Sequence, residues 1–322
     1  MDDGVRQLTI NVRPVGGVCN LRCEYCDSSK ERGIVFDEDS FRRQPRDFSL
    51  RRINAHVVFH GGEPLLYGSE RLVKLIQTTR EDLGAAADIQ LQTNGTLLSL
   101  SVARRLAACQ CRLSISLDPH LGNARTGTPR HHLVHTIRSI TDDGIPLGIV
   151  SVAHRLNQRG FLPFFRDLFM WGIPYWTINR VRIDGKSPLS LSESDYLQLL
   201  AEIMAEWIEQ GLYVKIQIQP LLDFLSNGQN RACRFSATPN KCQMFAVFQG
   251  SKLKDGCEHL PVLGEFKWSS RIAKCINCSA FDFCGGGCPA DSIDEEFCCA
   301  RKKFKSQIAA VRSGFNEMSK EN

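Results

Sequence analysis

The sequence predicts an α/β fold in which a parallel sheet is followed by a small cysteine-rich domain. Short β-rich runs alternate with amphipathic stretches through the first 185 residues. Short polar motifs follow the ends of these runs, and nine of the 14 cysteines lie between positions 233 and 299. Strands separated by helices imply right-handed crossovers and a sheet that is either open or curled into a partial barrel.

The six candidate strands are rich in β-branched and aromatic residues and are bounded by turn residues. In chain order they are residues 8–15, 56–60, 88–93, 112–118, 146–153 and 175–183. Amphipathic segments such as 69–84 and 99–109 predict crossover helices. Another helix is predicted within 187–211, because Ser192 and Glu193 begin an apolar pattern that ends at Gly211. We therefore expect one domain at 1–185, bridging helices at 186–230 and a second domain at 231–322.

The composition excludes several classes of protein. A hydrophobic content of 43% supports an ordinary core, and the acidic start lacks the pattern of a signal peptide. No apolar run is long enough to span a membrane, so we expect a soluble, cytoplasmic protein with reduced thiols. Two basic stretches lack stacking aromatic residues and predict solvated surface, not nucleic-acid binding. They comprise Arg42, Arg43, Arg46, Arg51 and Arg52, and Arg301, Lys302, Lys303 and Lys305.

Three cysteines occur within eight residues directly after the first strand, as Cys19, Cys23 and Cys26. A disulfide uses two thiols and a closed zinc site uses four ligands. Three thiolates on a 4Fe–4S cluster leave one iron open for chemistry. The alternative is a zinc site with a distant fourth ligand. Clustered cysteines in a reduced compartment favour a metal site in either case.

This CxxxCxxC spacing after the first strand of a βα fold resembles the radical S-adenosylmethionine (SAM) family, with Tyr25 matching the aromatic residue before the third cysteine. The resemblance implies a partial (β/α)6 TIM-like barrel of the radical SAM type. It also implies that Cys19, Cys23 and Cys26 hold a 4Fe–4S cluster whose open iron chelates SAM. One electron from the cluster then cleaves the sulfonium and yields a 5′-deoxyadenosyl radical.

Further motifs lie where the family places its cofactor-binding groups. The GGEP stretch follows the second strand, where glycines permit close backbone approach to a ligand. A tight turn would use the same residues, and Asn-Gly and Asp-Pro are also plain turn pairs. The resemblance implies cofactor- or substrate-binding roles for Gly61, Gly62, Glu63, Pro64, Thr93, Asn94, Ser116, Asp118, Ser151 and Asn179.

The C-terminal cysteines resemble the SPASM domain, which extends this family with two auxiliary clusters. The central match is Cys275-x2-Cys278-x5-Cys284-x3-Cys288. The resemblance implies one 4Fe–4S cluster on Cys233, Cys242, Cys257 and Cys288. It implies a second on Cys275, Cys278, Cys284 and either Cys298 or Cys299. The alternative is a pair of zinc sites, since four thiolates also suit zinc.

The resemblance implies a peptide-modifying oxidoreductase with SAM, three 4Fe–4S clusters and a reducing flavodoxin or ferredoxin as partner. The first hypothesis is a maturase that installs a C–C or C–heteroatom cross-link in a ribosomally made precursor peptide. The second is formylglycine formation in a sulfatase, and the third is a non-catalytic electron-transfer protein. Glu258 follows Cys257, where sulfatase-maturing relatives place an aspartate proton acceptor, so it is either that acceptor or a surface residue. Only seven residues precede the first strand, so we expect any leader to be recognised elsewhere.

Two smaller groups of residues predict structure and not chemistry. Cys109 and Cys111 lie around the start of the fourth strand and predict core thiols. His131, His132 and His135 include an i, i+4 pair, but no carboxylate pattern accompanies it, and we expect a solvated helix face.

Overall fold

The computed structural model describes residues 6–26, 34–50, 53–119, 130–181, 187–225, 245–255, 275–284 and 295–318. The chain divides into two compact units. The first comprises Met1–Leu117, Ala124–Ile149 and Gln243–Glu258. The second comprises Asp118–Asn123, Val150–Cys242 and His259–Asn322. The domain boundaries near 185 and 230 stay a prediction.

The secondary structure of the described residues alternates strands and helices. The strands are β1 (Arg6–Val12), β2 (Ile53–Phe59), β3 (Asp88–Thr93), β4 (Cys111–Ser116), β5 (Leu147–Ala153), β6 (Tyr175–Arg180), β7 (Gln217–Gln219), β8 (Phe245–Gln249) and β9 (Lys252–Asp255). The helices are α1 (Glu38–Leu50), α2 (Ser69–Leu83), α3 (Leu100–Ala108), α4 (Arg130–Asp142), α5 (Phe161–Met170), α6 (Glu193–Glu209), α7 (Leu221–Leu225), α8 (Phe281–Cys284) and α9 (Glu295–Met318).

The first unit is built on a sheet with the strand order β4-β3-β2-β1-β8-β9. Strands β1 to β4 are parallel to their neighbours, so their carboxyl ends meet at one edge. Along β3 the buried residues Ile89 and Leu91 alternate with the half-buried Gln90 and Gln92. One face of this sheet is therefore apolar, whereas the other carries amides and hydroxyls.

The hairpin β8–β9 extends this sheet on the far side of β1. Strand β8 runs parallel to β1 and antiparallel to β9. The ring of Phe248 packs against Phe36 and Phe41, with centroids 5.8 and 5.2 Å away. The sequence did not predict these strands, which fall inside the range 231–322 that was assigned to the cysteine-rich domain.

The second unit contains β5, β6 and β7 as neighbours in that order, and the boundary between the units falls within β5. Its core surrounds Trp176, whose ring stacks on Phe161 and Phe165 at centroid distances of 5.8 and 6.1 Å. The indole Nε1 donates to the Ser151 hydroxyl at 2.9 Å. A buried indole needs such an acceptor, because an unpaired N–H in an apolar core is destabilising.

A buried ion-pair cluster joins β6, α6 and α9 within the second unit. Glu193 Oε1 accepts from Arg301 Nε at 2.7 Å, and Glu193 Oε2 contacts Arg180 Nη1. Arg301 is 1% exposed, so the prediction that it lies on a solvated basic surface was wrong. It shares the buried face of α9 with Phe297 and Phe304 at helical spacing, and its charge is met by Glu193.

The six predicted strands are confirmed, with shifted ends. The first strand ends at Val12, because Arg13 to Gly17 form the turn that leads to the cysteine loop. Helix α6 is confirmed with its cap, as the Ser192 hydroxyl accepts from Asp195 N at 3.0 Å. The three histidines of α4 are exposed, and Cys111 is buried while Cys109 is half-buried. Among the described residues, no helix is both long and apolar enough to cross a membrane.

Candidate functional site

The cysteine loop follows β1 in the first unit. Cys19, Cys23 and Cys26 are all half-buried, and a turn is closed by Cys26 N donating to Cys23 O at 3.1 Å. Tyr25 lies within that turn and is half-buried. In the described part of the chain, no three His, Cys, Asp or Glu side chains stand close enough to hold a metal ion as they are. Metal binding would therefore require the three thiols to converge by side-chain rotation.

The glycine loop after β2 is hydrogen-bonded to the start of the cysteine loop. Gly62 N donates to Gly16 O and Glu63 N donates to Val18 O, both at 2.8 Å. A Cβ atom on Gly62 would lie 1.8 Å from Val18 O. Only glycine allows this approach of two backbone segments. The position one residue before Cys19 is thereby fixed by the GGEP stretch.

Glu63 anchors this arrangement from below, with no exposed surface. Its Oε1 accepts from Leu65 N at 3.0 Å and from Thr93 Oγ1 at 2.7 Å, and its Oε2 accepts from Asn94 N at 2.7 Å. Pro64 begins the following 3-10 turn, which Glu63 caps. A buried carboxylate is tolerated only when its lone pairs are satisfied, and these donors satisfy them. Glu63 therefore ties the end of β3 to the glycine loop.

The side chain of Asn94 continues the network to the cysteine loop. Asn94 Nδ2 donates to Asn20 Oδ1 at 2.7 Å and approaches Cys19 Sγ at 3.6 Å. Leu21 N donates to the same sulfur at 3.3 Å. N–H donors directed at a sulfur favour its thiolate form, which is the form that binds a metal.

The remaining predicted residues of β4 and β5 make contacts within their own units. In the first unit, Gln92 Nε2 donates to Ser116 Oγ at 3.4 Å. In the second, Asp118 is buried and its Oδ1 accepts from Val152 N at 2.8 Å. The hydroxyl of Ser151 is engaged by the indole of Trp176. Asn179 on β6 is half-buried, on the face opposite the buried Ile178.

The described C-terminal cysteines lie in the second unit. Cys278 N donates to Cys275 O at 2.8 Å, and Cys284 ends the short helix α8. Partial burial raises the pKa of the Cys298 thiol, and the neighbouring thiols of Cys275, Cys284 and Cys278 raise it further. Cys299 is exposed. Thus Cys298 is electrostatically coupled to the three cysteines of the central motif.

The contacts of α9 explain why Cys298 faces these thiols. Lys305 Nζ donates to Ser279 O at 2.7 Å and to Asp282 Oδ1 at 2.6 Å. Cys298 lies seven residues before Lys305, two helical turns away on nearly the same face. Cys233, Cys242, Cys257, Cys288 and Glu258 lie outside the described residues.

Residues 14–156 match the profile of the Radical SAM superfamily. This chain carries a radical SAM domain. The matched segment contains the cysteine loop, the glycine loop and the Asn94 network. Since all three lie after the carboxyl ends of parallel strands in one unit, the site occupies the edge of the sheet where α/β proteins bind their ligands.

The radical SAM domain belongs to a longer region of similarity. The chain is 23% identical to a serine-type anaerobic sulfatase-maturating enzyme of Klebsiella aerogenes, over 95% of this chain and 86% of that protein. The solved structure of anSMEcpe with AdoMet and the Cp18Cys peptide superimposes with a TM-score of 0.77 at 20% identity, covering 96% of this chain and 99% of that one.

A second solved structure shares the fold at lower similarity. SuiB of Streptococcus suis bound to its precursor peptide SuiA superimposes with a TM-score of 0.62 at 15% identity, covering 90% of this chain and 76% of SuiB. The predicted fold class is confirmed. The chain is homologous to anaerobic sulfatase-maturating enzymes, and its likeness to SuiB concerns the fold.

A radical SAM domain implies a 4Fe–4S cluster and SAM, and the residues present fit them. The donor set comprises three thiols on one short loop, with N–H groups directed at one sulfur. The close backbone approach at Gly62 would be filled by any larger side chain. Cys19, Cys23 and Cys26 are the residues that would hold the cluster.

Sequence reasoning missed several supporting residues. Asn20 and Thr96 bond to Asn94, and the backbone of Gly16 and Val18 receives the glycine loop. Asn20 carried a weak signal, since it stands beside a predicted ligand. The backbone acceptors carried none, because any residue offers a carbonyl oxygen.

Proposed function

We propose that this radical SAM enzyme oxidises a side chain within a peptide segment of another polypeptide. The observation that carries the proposal is the fixed cysteine loop, which the glycine loop and Glu63 hold beside Asn94. The length-wide relation to a serine-type sulfatase-maturating enzyme supports a peptidyl substrate. A pure electron carrier would have no use for the glycine-loop arrangement, so the non-catalytic alternative is disfavoured.

In this proposal Cys19, Cys23 and Cys26 hold a 4Fe–4S cluster, and the backbone of Gly61 and Gly62 receives SAM. When bound, the cluster and SAM supply one-electron cleavage of the sulfonium and a species that abstracts hydrogen. The chain positions these groups and excludes water. Reduction requires an external donor, for which we propose a reducing flavodoxin or ferredoxin.

The other predicted cofactor residues divide into two groups by their contacts. Thr93 donates to Glu63 and Asp118 accepts from a backbone N–H, so each supports the local backbone. Ser151 supports the Trp176 core in the same way. The residues that we propose to contact the cofactor or substrate are therefore Tyr25, Ser116 and Asn179, together with the glycine loop.

We propose two auxiliary 4Fe–4S clusters in the cysteine-rich segment, which brings the total to three. One would use Cys233, Cys242, Cys257 and Cys288. The other would use Cys275, Cys278, Cys284 and Cys298. The pairing of Lys305 with Ser279 and Asp282 supports Cys298 over Cys299, because it turns the Cys298 side of α9 toward the central motif.

The ligand choice between the two adjacent cysteines is directly testable. Cys298→Ala should remove about four irons per chain from anaerobically reconstituted protein, whereas the matched variant Cys299→Ala should retain them. Loss of iron in Cys299→Ala alone would reverse the assignment. Stoichiometric zinc in place of iron in the wild type would overturn the auxiliary clusters themselves.

The reaction we propose first is oxidation of a single serine or cysteine to formylglycine. The alignment with a serine-type sulfatase-maturating enzyme over 95% of this chain favours it. A cross-link in a precursor peptide is the second candidate, and the shared fold with SuiB, solved with its precursor peptide, favours that one. Both reactions remove two hydrogens, so each needs a proton acceptor and an electron acceptor after the first hydrogen has left. We propose Glu258 as the proton acceptor and the auxiliary clusters as the groups that would take up the electron.

The decisive experiment uses reconstituted holoenzyme with SAM, a reductant and two peptides. One peptide carries a serine in the context of a sulfatase active-site segment, and the other is a candidate precursor peptide. A loss of two hydrogens confined to the serine, with reactivity toward hydrazides, supports formylglycine formation. A loss shared by two residues that no longer fragment apart supports a cross-link.

Matched variants test whether the cysteine loop is responsible. Cys19→Ala should abolish SAM cleavage and remove about four irons, whereas Cys109→Ala, outside all predicted ligand sets, should do neither. Glu258→Gln should slow product formation and leave SAM cleavage intact. SAM cleavage without any change to either peptide would contradict the peptidyl substrate, and iron-free wild type would overturn the whole proposal.

A further inference from the structure

The side-chain amide of Asn94 is locked in one orientation by a closed ring of hydrogen bonds. Asn94 Oδ1 accepts from Thr96 N at 2.9 Å and from Thr96 Oγ1 at 2.7 Å. Asn20 Nδ2 donates to Thr96 Oγ1 at 2.8 Å, and Asn94 Nδ2 donates to Asn20 Oδ1 at 2.7 Å. Each donor in the ring faces an acceptor, and the backbone N–H of Thr96 fixes which end of the amide is oxygen.

The locked orientation directs the Nδ2 group of Asn94 toward Cys19, whose sulfur lies 3.6 Å away. The backbone N–H of Leu21 reaches the same sulfur at 3.3 Å. Asn94 is itself held from the opposite side, because its backbone N–H donates to the fully buried Glu63. Two N–H donors therefore converge on one sulfur, and one of them is a side chain with a fixed position.

Hydrogen bonds to a ligand sulfur withdraw electron density from it and stabilise the reduced state of an iron–sulfur cluster. A donor on a side chain also restricts the rotation of the ligand itself. We propose that Asn94 is a positioning residue for the Cys19 ligand, which its amide orients while raising the reduction potential of the cluster. This inference rests on the proposed cluster at Cys19, Cys23 and Cys26, and it gives Asn94 a role through sulfur instead of contact with SAM or substrate.

The test measures the reduction potential, which loss of fold or of substrate contact would not shift in a defined direction. Asn94→Asp keeps the side-chain shape but replaces the donor near the sulfur with an oxygen. Gln92→Glu is the matched control. It adds the same charge two residues earlier on the same strand, and its side chain contacts Ser116 instead of Cys19.

Reconstituted holoenzyme is titrated under EPR, following the reduced signal that responds to added SAM. In Asn94→Asp we expect the ratio of reduced to oxidised cluster to fall at least tenfold at a fixed potential, a shift of about 59 mV for a one-electron couple. The shift in Gln92→Glu should be clearly smaller. A second readout is the rate at which a chelator removes iron, which should rise in Asn94→Asp because Cys19 is released more readily.

Asn94→Ala decides the question if Asn94→Asp does not fold, since it removes the donor without adding charge. Unchanged potential and unchanged iron loss in a folded Asn94 variant would overturn the inference, as would equal shifts in Asn94→Asp and Gln92→Glu. Failure of both Asn94 variants to fold would assign Asn94 to folding alone and overturn it too. Absence of a SAM-responsive signal in the wild type would instead overturn the proposed function.

Discussion

Replacing Gly62 with alanine tests how closely the glycine loop must approach the cysteine loop. The added Cβ would lie 1.8 Å from Val18 O and 2.4 Å from Val18 C, and both are backbone atoms that no side-chain rotation can remove. Gly62 does not have a positive φ, so alanine is compatible with its backbone conformation. Any loss of stability would therefore be steric.

The magnitude follows from the contacts that must break. Real Cβ contacts are essentially never shorter than 3.0 Å, so the two segments must separate by more than 1 Å from the present 1.8 Å. That separation breaks the two 2.8 Å bonds from Gly62 N and Glu63 N. Two hydrogen bonds at about 1 kcal/mol each, with about 1–3 kcal/mol for overpacking, predict a loss of about 3–5 kcal/mol in the free energy of unfolding.

The assay is guanidinium denaturation of the apoprotein, followed by iron content after anaerobic reconstitution. Gly144→Ala is the control, because Gly144 lies in the same unit with φ +77 and nothing within 4 Å of an added Cβ. It should lose only about 1–2 kcal/mol through the left-handed backbone and should keep its iron. Gly62→Ala should lose more stability and also the iron of the cysteine loop.

The reasoning would be refuted if Gly62→Ala were as stable as the Gly144→Ala control and bound iron normally. That result would mean that the two loops are not held together by these bonds. Reduced stability with normal iron content would show that the approach serves folding but not the site.

Three further predictions concern other parts of the molecule. Glu193→Gln leaves two buried guanidinium groups without a carboxylate and should cost about 3–5 kcal/mol in chemical denaturation, whereas Glu206→Gln, which faces the exposed Arg166, should cost about 1 kcal/mol or less. Burial raises the pKa of the Cys111 thiol to about 12, so iodoacetamide at pH 8 should leave Cys111 unmodified in the folded protein and alkylate it in urea, as read by mass spectrometry. Burial lowers the pKa of His56, so the unfolded chain binds its proton more readily and stability should fall as the pH drops below about 6.5; His56→Gln should lose less unfolding free energy between pH 7 and pH 5.5.

The sequence was sufficient to predict the strands of the first unit and the edge at which the motifs gather. Alternating runs such as 88–93 have a period that only a strand satisfies, and β3 occupies that same range. The short strand β7 and the hairpin β8–β9 were not predicted. Strand β7 has three residues, too few for a periodic pattern, and β8 pairs with β1 across more than 200 residues of sequence. Pairing at that separation leaves no local signal.

Arg301 shows a second limit of sequence reasoning. It stands in a run with Lys302, Lys303 and Lys305, and a basic run ordinarily predicts solvent. Its burial depends on Glu193, a partner 108 residues away, and on its place in the apolar stripe of α9. The helical spacing from Phe297 to Phe304 was available in the sequence and could have raised the question. The carboxylate partner could not have been identified, since nothing local distinguishes Glu193 from other helix-capping glutamates.

The candidate site owes its order mainly to backbone groups, and this explains which of its residues the sequence could indicate. Gly62 was indicated because the close approach to Val18 excludes every side chain. Glu63 was indicated because a carboxylate beside two glycines is unusual in a plain turn. Its actual partners include two backbone N–H groups, those of Leu65 and Asn94, which any residue could supply. Therefore the chain from Glu63 through Asn94 to Cys19 would survive changes at many intervening positions, but it would not survive a change at the three side chains that form its links.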